Sequence, residues 1–206
     1  MSDAPSIVPT WDQRYDRPEY VFGKTPNAFL KTQASRLQSG WRALAVADGE
    51  GRNGVWLAEQ GLHVHAVDAS GVALAKARAL AAERGVTLEF ECADVAQWDW
   101  PHERYDAVVA IFIQFASPPL RDQMFAGMKQ SLKPDGLLLL EGYRPEQLAY
   151  KTGGPPTAEN MYDEVLLRQA FGDMEIIELR SYDTIVDEGE GHRGMSALID
   201  LVARKR

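Results

Sequence analysis

Gly49-Glu50-Gly51-Arg52-Asn53-Gly54 spells G-x-G-x-x-G, and Asp68 follows close to the roughly 20-residue spacing that separates a nucleotide-binding glycine loop from its acidic partner. Glycine lets the backbone come close to a ligand, and a carboxylate ending a strand accepts hydrogen bonds from ribose hydroxyls. Asp94 followed by Val95 adds a carboxylate with an apolar neighbour, a pair suited to holding an adenine by its amino group. Other reactive side chains point elsewhere. His63 and His65 lie two apart, on one face of a strand, with no third ligand, so they read as partly exposed strand residues and no metal site is expected. The single cysteine, Cys92, excludes an internal disulfide; within Phe90-Glu91-Cys92-Ala93 it reads as a buried, inert thiol. Asp187-Glu188-Gly189-Glu190-Gly191 lacks the spacing of a calcium loop and reads as a solvated or mobile tip.

The elements that must position these residues are legible as alternating runs. Short apolar stretches at Arg42 to Ala47, Leu62 to Val67 and Tyr105 to Phe112 fit buried parallel strands. Between them lie helical stretches: Asn53 to Gln60, stopped by Gly61, and Val72 to Arg84, capped by Ser70 and stopped by Gly85. A further helix, Leu120 to Leu132, precedes the turn Lys133-Pro134-Asp135-Gly136 and a strand from Leu137 to Glu141. Strand and helix in alternation give an α/β fold, a mostly parallel sheet with helices on both faces. The tail departs from this rhythm. A helix near Met161 to Phe171 leads to strands at Met174 to Leu179 and Ser196 to Ala203, predicted to pair as a C-terminal antiparallel hairpin with a long connection.

Composition narrows the partners. The chain has 206 residues, 45% apolar and 25% charged, enough for one globular domain. Its net charge of -8 disfavours a nucleic acid partner, and Arg204-Lys205-Arg206, the only tight basic cluster, reads as a solvated tail. No basic region with an apolar signal core and no membrane-length apolar run is seen, so the expected location is cytoplasmic, with no membrane partner.

A nicotinamide-dependent oxidoreductase shares the glycine fingerprint. Against it, the first strand ends near Ala47, ahead of the glycines, and the hairpin replaces a second mononucleotide-binding half. Ala43 to Asp68 resembles the S-adenosylmethionine-binding motif of class I methyltransferases. Trp11-Asp12-Gln13-Arg14-Tyr15, Tyr20-Val21-Phe22-Gly23 and Leu132-Lys133-Pro134-Asp135-Gly136 are similar to segments of the tellurite-resistance, thiol and thiopurine methyltransferase group. The sequence departs from that pattern at Ala45, where an acidic residue is usual, and at Ala47, where glycine is usual; the cofactor's amino end then falls to backbone carbonyls or other side chains.

The resemblance implies a Rossmann-like seven-stranded sheet, S-adenosylmethionine as cofactor and a small-molecule methyl acceptor, such as a thiol or chalcogen oxyanion. It implies cofactor contacts from Ala47, Asp48, Gly49, Gly51 and Asn53 in the loop, Asp68 and Ala69 at the ribose, Asp94 and Val95 at the adenine, and Ile111. Trp11, Tyr20 and Phe22 would fold over it, with Tyr15 in the same aromatic cluster. Substrate-side candidates are Gln114, Phe115, Glu141, Tyr143, Arg144 and the loop Tyr150 to Pro156. Plainer roles stay open: the glycines as an ordinary turn, Asp68 as a helix cap, Asp94 as a surface carboxylate, Ile111 and Phe112 as core. With no Ser-His-Asp set, transfer is expected by proximity and orientation without a metal. The division expected is a lid segment at 1–40, a cofactor-binding core at 41–142 and a substrate loop with hairpin at 143–206, in a monomer or weak homodimer. A non-catalytic cofactor-binding module remains an alternative.

Overall fold

The computed structural model describes residues 8–206; of the expected lid segment 1–40, residues 1–7 lie outside the described residues. Seven strands form one sheet in the order β3-β2-β1-β4-β5-β7-β6. These are β1 (Arg42–Val46), β2 (His63–Asp68), β3 (Glu89–Cys92), β4 (Tyr105–Ile111), β5 (Leu132–Tyr143), β6 (Glu175–Asp187) and β7 (Arg193–Arg204). The first five are parallel; β7 runs antiparallel between β5 and β6. This is the expected Rossmann-like sheet of seven strands, mostly parallel, with a C-terminal antiparallel hairpin.

The helices are α1 (Val8–Tyr15), α2 (Ala28–Thr32), α3 (Arg52–Glu59), α4 (Gly71–Arg84), α5 (Pro118–Ser131), α6 (Gln147–Tyr150) and α7 (Glu164–Ala170). Because side chains alternate along a strand, the central strands feed two separate apolar layers. Ala43, Ala45, Ala66, Val109 and Leu139 meet Phe29 and Leu30 of α2 and Leu57 of α3 on one face. Leu44, Val46, Val108, Ala110 and Leu138 meet Met124 and Met128 of α5 and Leu167 of α7 on the other. Helix α4 is stopped at both ends by local chemistry: Ser70 Oγ accepts from Ala73 N at 3.0 Å, and Gly85 takes the left-handed conformation at φ 68°.

Several expectations are corrected. The Lys133 to Gly136 turn lies inside β5, where the register on β4 skips from Tyr105↔Leu132 to Ala107↔Leu137; Lys205 holds the bulge by exchanging backbone hydrogen bonds with Asp135 and Gly136. The penultimate helix is shorter than Met161 to Phe171, because Asp163 caps it by accepting from Leu166 N at 2.7 Å. The hairpin strands run on to Asp187 and restart at Arg193, leaving a short tip instead of a long connection. Cys92 is exposed, at the end of the outermost parallel strand, while His65 is buried, its Nδ1 2.7 Å from the Tyr105 hydroxyl. The basic terminus is tied down: Arg204 pairs with Glu175 at 3.1 Å, and Lys205 Nζ donates to the Leu132 carbonyl at 2.7 Å. Among the described residues no helix is long and apolar enough to cross a membrane.

Gly51, the residue before α3, lies against Ala77 of α4. It sits at φ 88°, and a Cβ there would lie 2.7 Å from the Ala77 Cβ. Gly51→Ala adds left-handed strain of about 1–2 kcal/mol to overpacking of about 1–3 kcal/mol. The variant is expected to lose roughly 2–5 kcal/mol of stability in urea unfolding, by the sum of those two effects.

Candidate functional site

The C-terminal ends of β1, β2 and β4 open into a cleft of about 500 Å³, the edge where ligands of open α/β sheets dock. The Asp68 carboxylate is part of its lining. Parallel β1 and β2 end side by side, so the chain leaving β1 passes directly over the end of β2. Gly49 N donates to Asp68 Oδ2 and Ser70 N to Asp68 Oδ1, both at 2.8 Å. Burial raises the Asp68 pKa, and these two amide bonds work against that rise.

Ala47, next to Asp48 on the cleft floor, has φ 48°, a conformation that favours glycine; Phe112, after β4, has φ 55°. Both strands thus leave the sheet through a left-handed residue at the cleft edge, the sort of strain that gathers at functional sites. Asp48 accepts from Gly54 N at 3.1 and 3.2 Å, and burial raises its carboxyl to about 7, with Asp68 adding to the rise. Glu50 is buried and paired with Lys76 at 2.7 Å, and it also accepts from Phe22 N.

A roof comes from two distant parts of the chain. Asp12 of α1 accepts from Ser70 Oγ at 2.5 Å, while Tyr15 and Val21 pack on Ala73 of α4. The β6–β7 tip folds down onto residues 21 to 23: Gly191 N donates to the Val21 carbonyl at 3.0 Å, and a Cβ on Gly191 would lie 2.3 Å from the Phe22 ring. Glu188 seals this junction. It pairs with the buried Arg52 at 2.6 Å and accepts from Ala28 N at 2.8 Å. Glu188 is therefore folded into the molecule, while Asp187 and Glu190 stay solvated as the acidic sequence suggested. Aromatic groups line the cleft in sequence, with Trp11 against Tyr15 and Phe115, Phe22 against Tyr15 and His192, and Phe112 against His192 and Tyr143.

The structure brings most of the sequence candidates together. Trp11, Phe22, Ala47, Asp48, Gly49, Asn53, Asp68, Ala69, Asp94, Val95 and Ile111 all line the cleft, as do Gln114, Phe115 and Tyr143. Several of these spend polar atoms on the fold. Asn53 Oδ1 accepts from Asn27 N at 2.9 Å, and the Gln114 amide clamps the backbone N–H and carbonyl of Tyr143 at 2.6 and 2.8 Å. Asp94 Oδ1 accepts from Ala96 N at 2.9 Å in a local turn.

Four candidates stand off the cleft. Gly51 faces α4. Tyr20 turns its hydroxyl to the Lys76 carbonyl and its ring to Lys24 and Lys76. Arg144 pairs with Asp183 and Glu146. Glu141 is 1% exposed and points into a separate polar cluster, bonded to Asn27, with Tyr182 Oη 3.3 Å from Glu141 and from its β7 register partner Asp200. Burial and the neighbouring Asp200 and Glu188 push the Glu141 pKa well up.

Arg14, Glu50, Arg52, Asn160 and His192 line the cleft without having been singled out for it. Glu50 and Arg52 lie inside the glycine motif, so their position was available; nothing in the spacing brings His192 across some 140 residues to Arg52. Of the loop Tyr150 to Pro156, residues Gly153 to Pro156 reach the cleft. Among the described residues no group of three His, Cys, Asp or Glu side chains is arranged to hold a metal ion.

Because the folded-state pKa of Asp48 lies above its ordinary 3.8, its stabilising contribution is complete below about pH 4 and is lost as pH rises towards about 7. Asp48→Asn in the ligand-free protein is expected to flatten the decline in stability across that window, read from urea titrations at stepped pH. Asp200, raised by burial to about 6, leaves a residual decline of the same sign.

Residues 43–136 match the family model described as a methyltransferase domain. No curated protein matches the chain significantly. Among solved structures it is similar to the protein of a study entitled "Conversion of a Disulfide Bond into a Thioacetal Group during Echinomycin Biosynthesis", with TM-score 0.78 and 18% identity over 97% of this chain and 92% of that one. It is also similar to magnesium protoporphyrin IX methyltransferase (ChlM) from Synechocystis PCC 6803 with bound SAH, at TM-score 0.72 and 18% identity over 97% and 98% of the two chains. TehB from Haemophilus influenzae gives TM-score 0.71 and 17% identity over 97% of this chain and 67% of that one. Residues 43–136 thus match a methyltransferase domain, and the chain as a whole shares the class I methyltransferase fold of these solved structures.

Proposed function

We propose that the cleft around Asp68 is where the cofactor binds and that its methyl group passes to a thiol or chalcogen oxyanion by direct displacement, without a metal. The observation that carries this reading is the state of Asp68. A carboxylate offers about four lone-pair directions; the Gly49 and Ser70 amides take two, leaving acceptor capacity at the cleft for two ribose hydroxyls. Asp94 and Val95, on the loop after β3, fit an adenine edge and face.

At the other end, Ala45 offers no carboxylate, and Asp48 stands nearby with its carboxyl raised by burial to about 7. An ammonium group there would restore the Asp48 charge, so we assign the amino-acid end of the cofactor to Asp48 and the Ala47 to Gly49 backbone. When bound, S-adenosylmethionine supplies an electrophilic methyl group on a sulfonium. The chain's own part is to align and to keep dry. Holding donor and acceptor in line lowers the barrier by about 7–11 kcal/mol, and the α1 and hairpin-tip roof excludes water.

On this reading residues 1–40 act as the lid, 41–142 as the cofactor-binding core and 143–206 as the acceptor loop and hairpin. The hairpin tip joins the lid by holding Phe22 and Arg52. Of the acceptor-side candidates, Gln114 and Tyr143 keep a place in the site and Glu141 and Arg144 do not. The net charge of -8 supports excluding nucleic acid; a cytoplasmic location and a monomer or weak homodimer complete the proposal.

Calorimetry with S-adenosylhomocysteine and with NAD(H) tests it. Binding of the first alone is expected. Loss of two hydrogen bonds to a charged acceptor, about 1.5–3 kcal/mol each, predicts that Asp68→Ala weakens binding by about 100-fold or more. Unchanged affinity in that variant would refute the assignment. Incubating labelled cofactor with thiols, phenols, amines and oxyanions then reads the acceptor, and no methylated product from any of them would favour the non-catalytic module.

A further inference from the structure

His192 stands at the tip between β6 and β7, on the wall of the cleft, and the cofactor assignments above leave it unused. Its imidazole is wedged between two rings, Phe22 at 4.5 Å and Phe112 at 4.2 Å between centroids, with Tyr143 edge-on at 5.8 Å. It is 8% exposed, and Nδ1 is buried without a hydrogen-bond partner. Leaving a buried polar atom unpaired costs about 1–3 kcal/mol, and such an atom in a native fold calls for an explanation.

The backbone holds the ring in this position. Glu188 N donates to the His192 carbonyl at 2.9 Å, and the tip is pinned through Gly191 to Val21 and through Glu188 to Arg52. The charged groups around it come from three elements: Arg14 of α1, Arg52 of α3, and Glu188, which offsets Arg52 at 2.6 Å. Burial first, then Arg52 and Arg14, keeps the imidazole neutral well below its usual pKa. A neutral imidazole carries one nitrogen with a free lone pair, so it accepts a proton or hydrogen bond.

We propose that His192 is a catalytic residue of the transfer, its unpaired imidazole accepting the proton of a neutral X–H nucleophile seated beside Phe22 and Phe112. The proposal rests on the methyl-transfer reading and deepens it. The lone pair on X forms the new bond to the methyl carbon, the carbon–sulfur bond of the sulfonium breaks with its electron pair going to sulfur, and the proton of X passes to the imidazole. The resulting imidazolium, disfavoured beside Arg14 and Arg52, gives the proton to solvent as product leaves. The acceptor chemistry this selects is a protonated thiol, in preference to an oxyanion that has no proton to give.

The test uses the full-length protein labelled with ¹⁵N-histidine and saturated with S-adenosylhomocysteine, with two probes: phenylmethanethiol, which keeps its proton at neutral pH, and thiosulfate, which carries none. His192→Gln identifies the His192 signals among those of the four histidines. Phenylmethanethiol is expected to shift the wild-type His192 ring nitrogens, and thiosulfate to leave them in place. With labelled cofactor and phenylmethanethiol, His192→Phe keeps an aromatic ring between Phe22 and Phe112 and is expected to lose about 100-fold in kcat, the lower end of general-base effects. Its affinity for S-adenosylhomocysteine should stay within twofold, and His192→Gln should recover part of the rate. His192→Phe turning over phenylmethanethiol at the wild-type rate, or ring signals unmoved by saturating phenylmethanethiol, overturns the proposal. A wild-type protein that fails to bind S-adenosylhomocysteine overturns instead the methyl-transfer reading on which it rests.

Discussion

Two amide bonds, from Gly49 N and Ser70 N to the two oxygens of Asp68, set the geometry on which the site depends. An ionised carboxylate taken out of water costs several kcal/mol unless it is paired or hydrogen-bonded, and the raised pKa of Asp68 records that tension. Adjacent parallel strands resolve it. Because β1 and β2 end level with each other, the turn leaving β1 can lay an amide over the last residue of β2, while the turn leaving β2 supplies the second from its own start into α4. The same bonds that hold Asp68 therefore fix the course of the glycine loop.

Closure of the cleft depends on a second, unrelated set of contacts. The N-terminal segment is anchored on α4 through Asp12 and Tyr15, and the hairpin tip is anchored on α3 through Glu188 and Arg52. Removing one partner of a buried ion pair costs about 3–5 kcal/mol, so the tip is held far more firmly than an exposed acidic turn. Gly189 and Gly191 make this possible, since a Cβ on either would collide with residues 21 to 23. The roof is thus built from both ends of the chain.

The centre of the sheet was legible in the sequence because β1, β2 and β4 are short, apolar and separated by helices with clear stops at Gly61 and Gly85. The glycine loop, Asp68 and Asp94 were legible for the same local reason: each lies at or just past the C-terminal end of a strand, and in a parallel sheet that places it at one edge. What failed to read were side chains whose surroundings come from far along the chain. Glu188 looks solvated until Arg52 is brought to it, and Cys92 looks buried until its strand proves to be the outermost. Glu141 follows the ligand-face pattern, yet strand alternation turns it towards Asn27 and Asp200. His192 gave no local signal, since a histidine in a short turn has no periodicity to betray its burial.

A crystal structure of the protein with S-adenosylhomocysteine tests the central claim most directly. The account predicts both ribose hydroxyls within about 2.7–3.2 Å of the Asp68 carboxylate, ordinary hydrogen-bond range, with the Gly49 and Ser70 amide bonds intact. A ribose bound elsewhere, or one that reaches the cleft without touching Asp68, contradicts it.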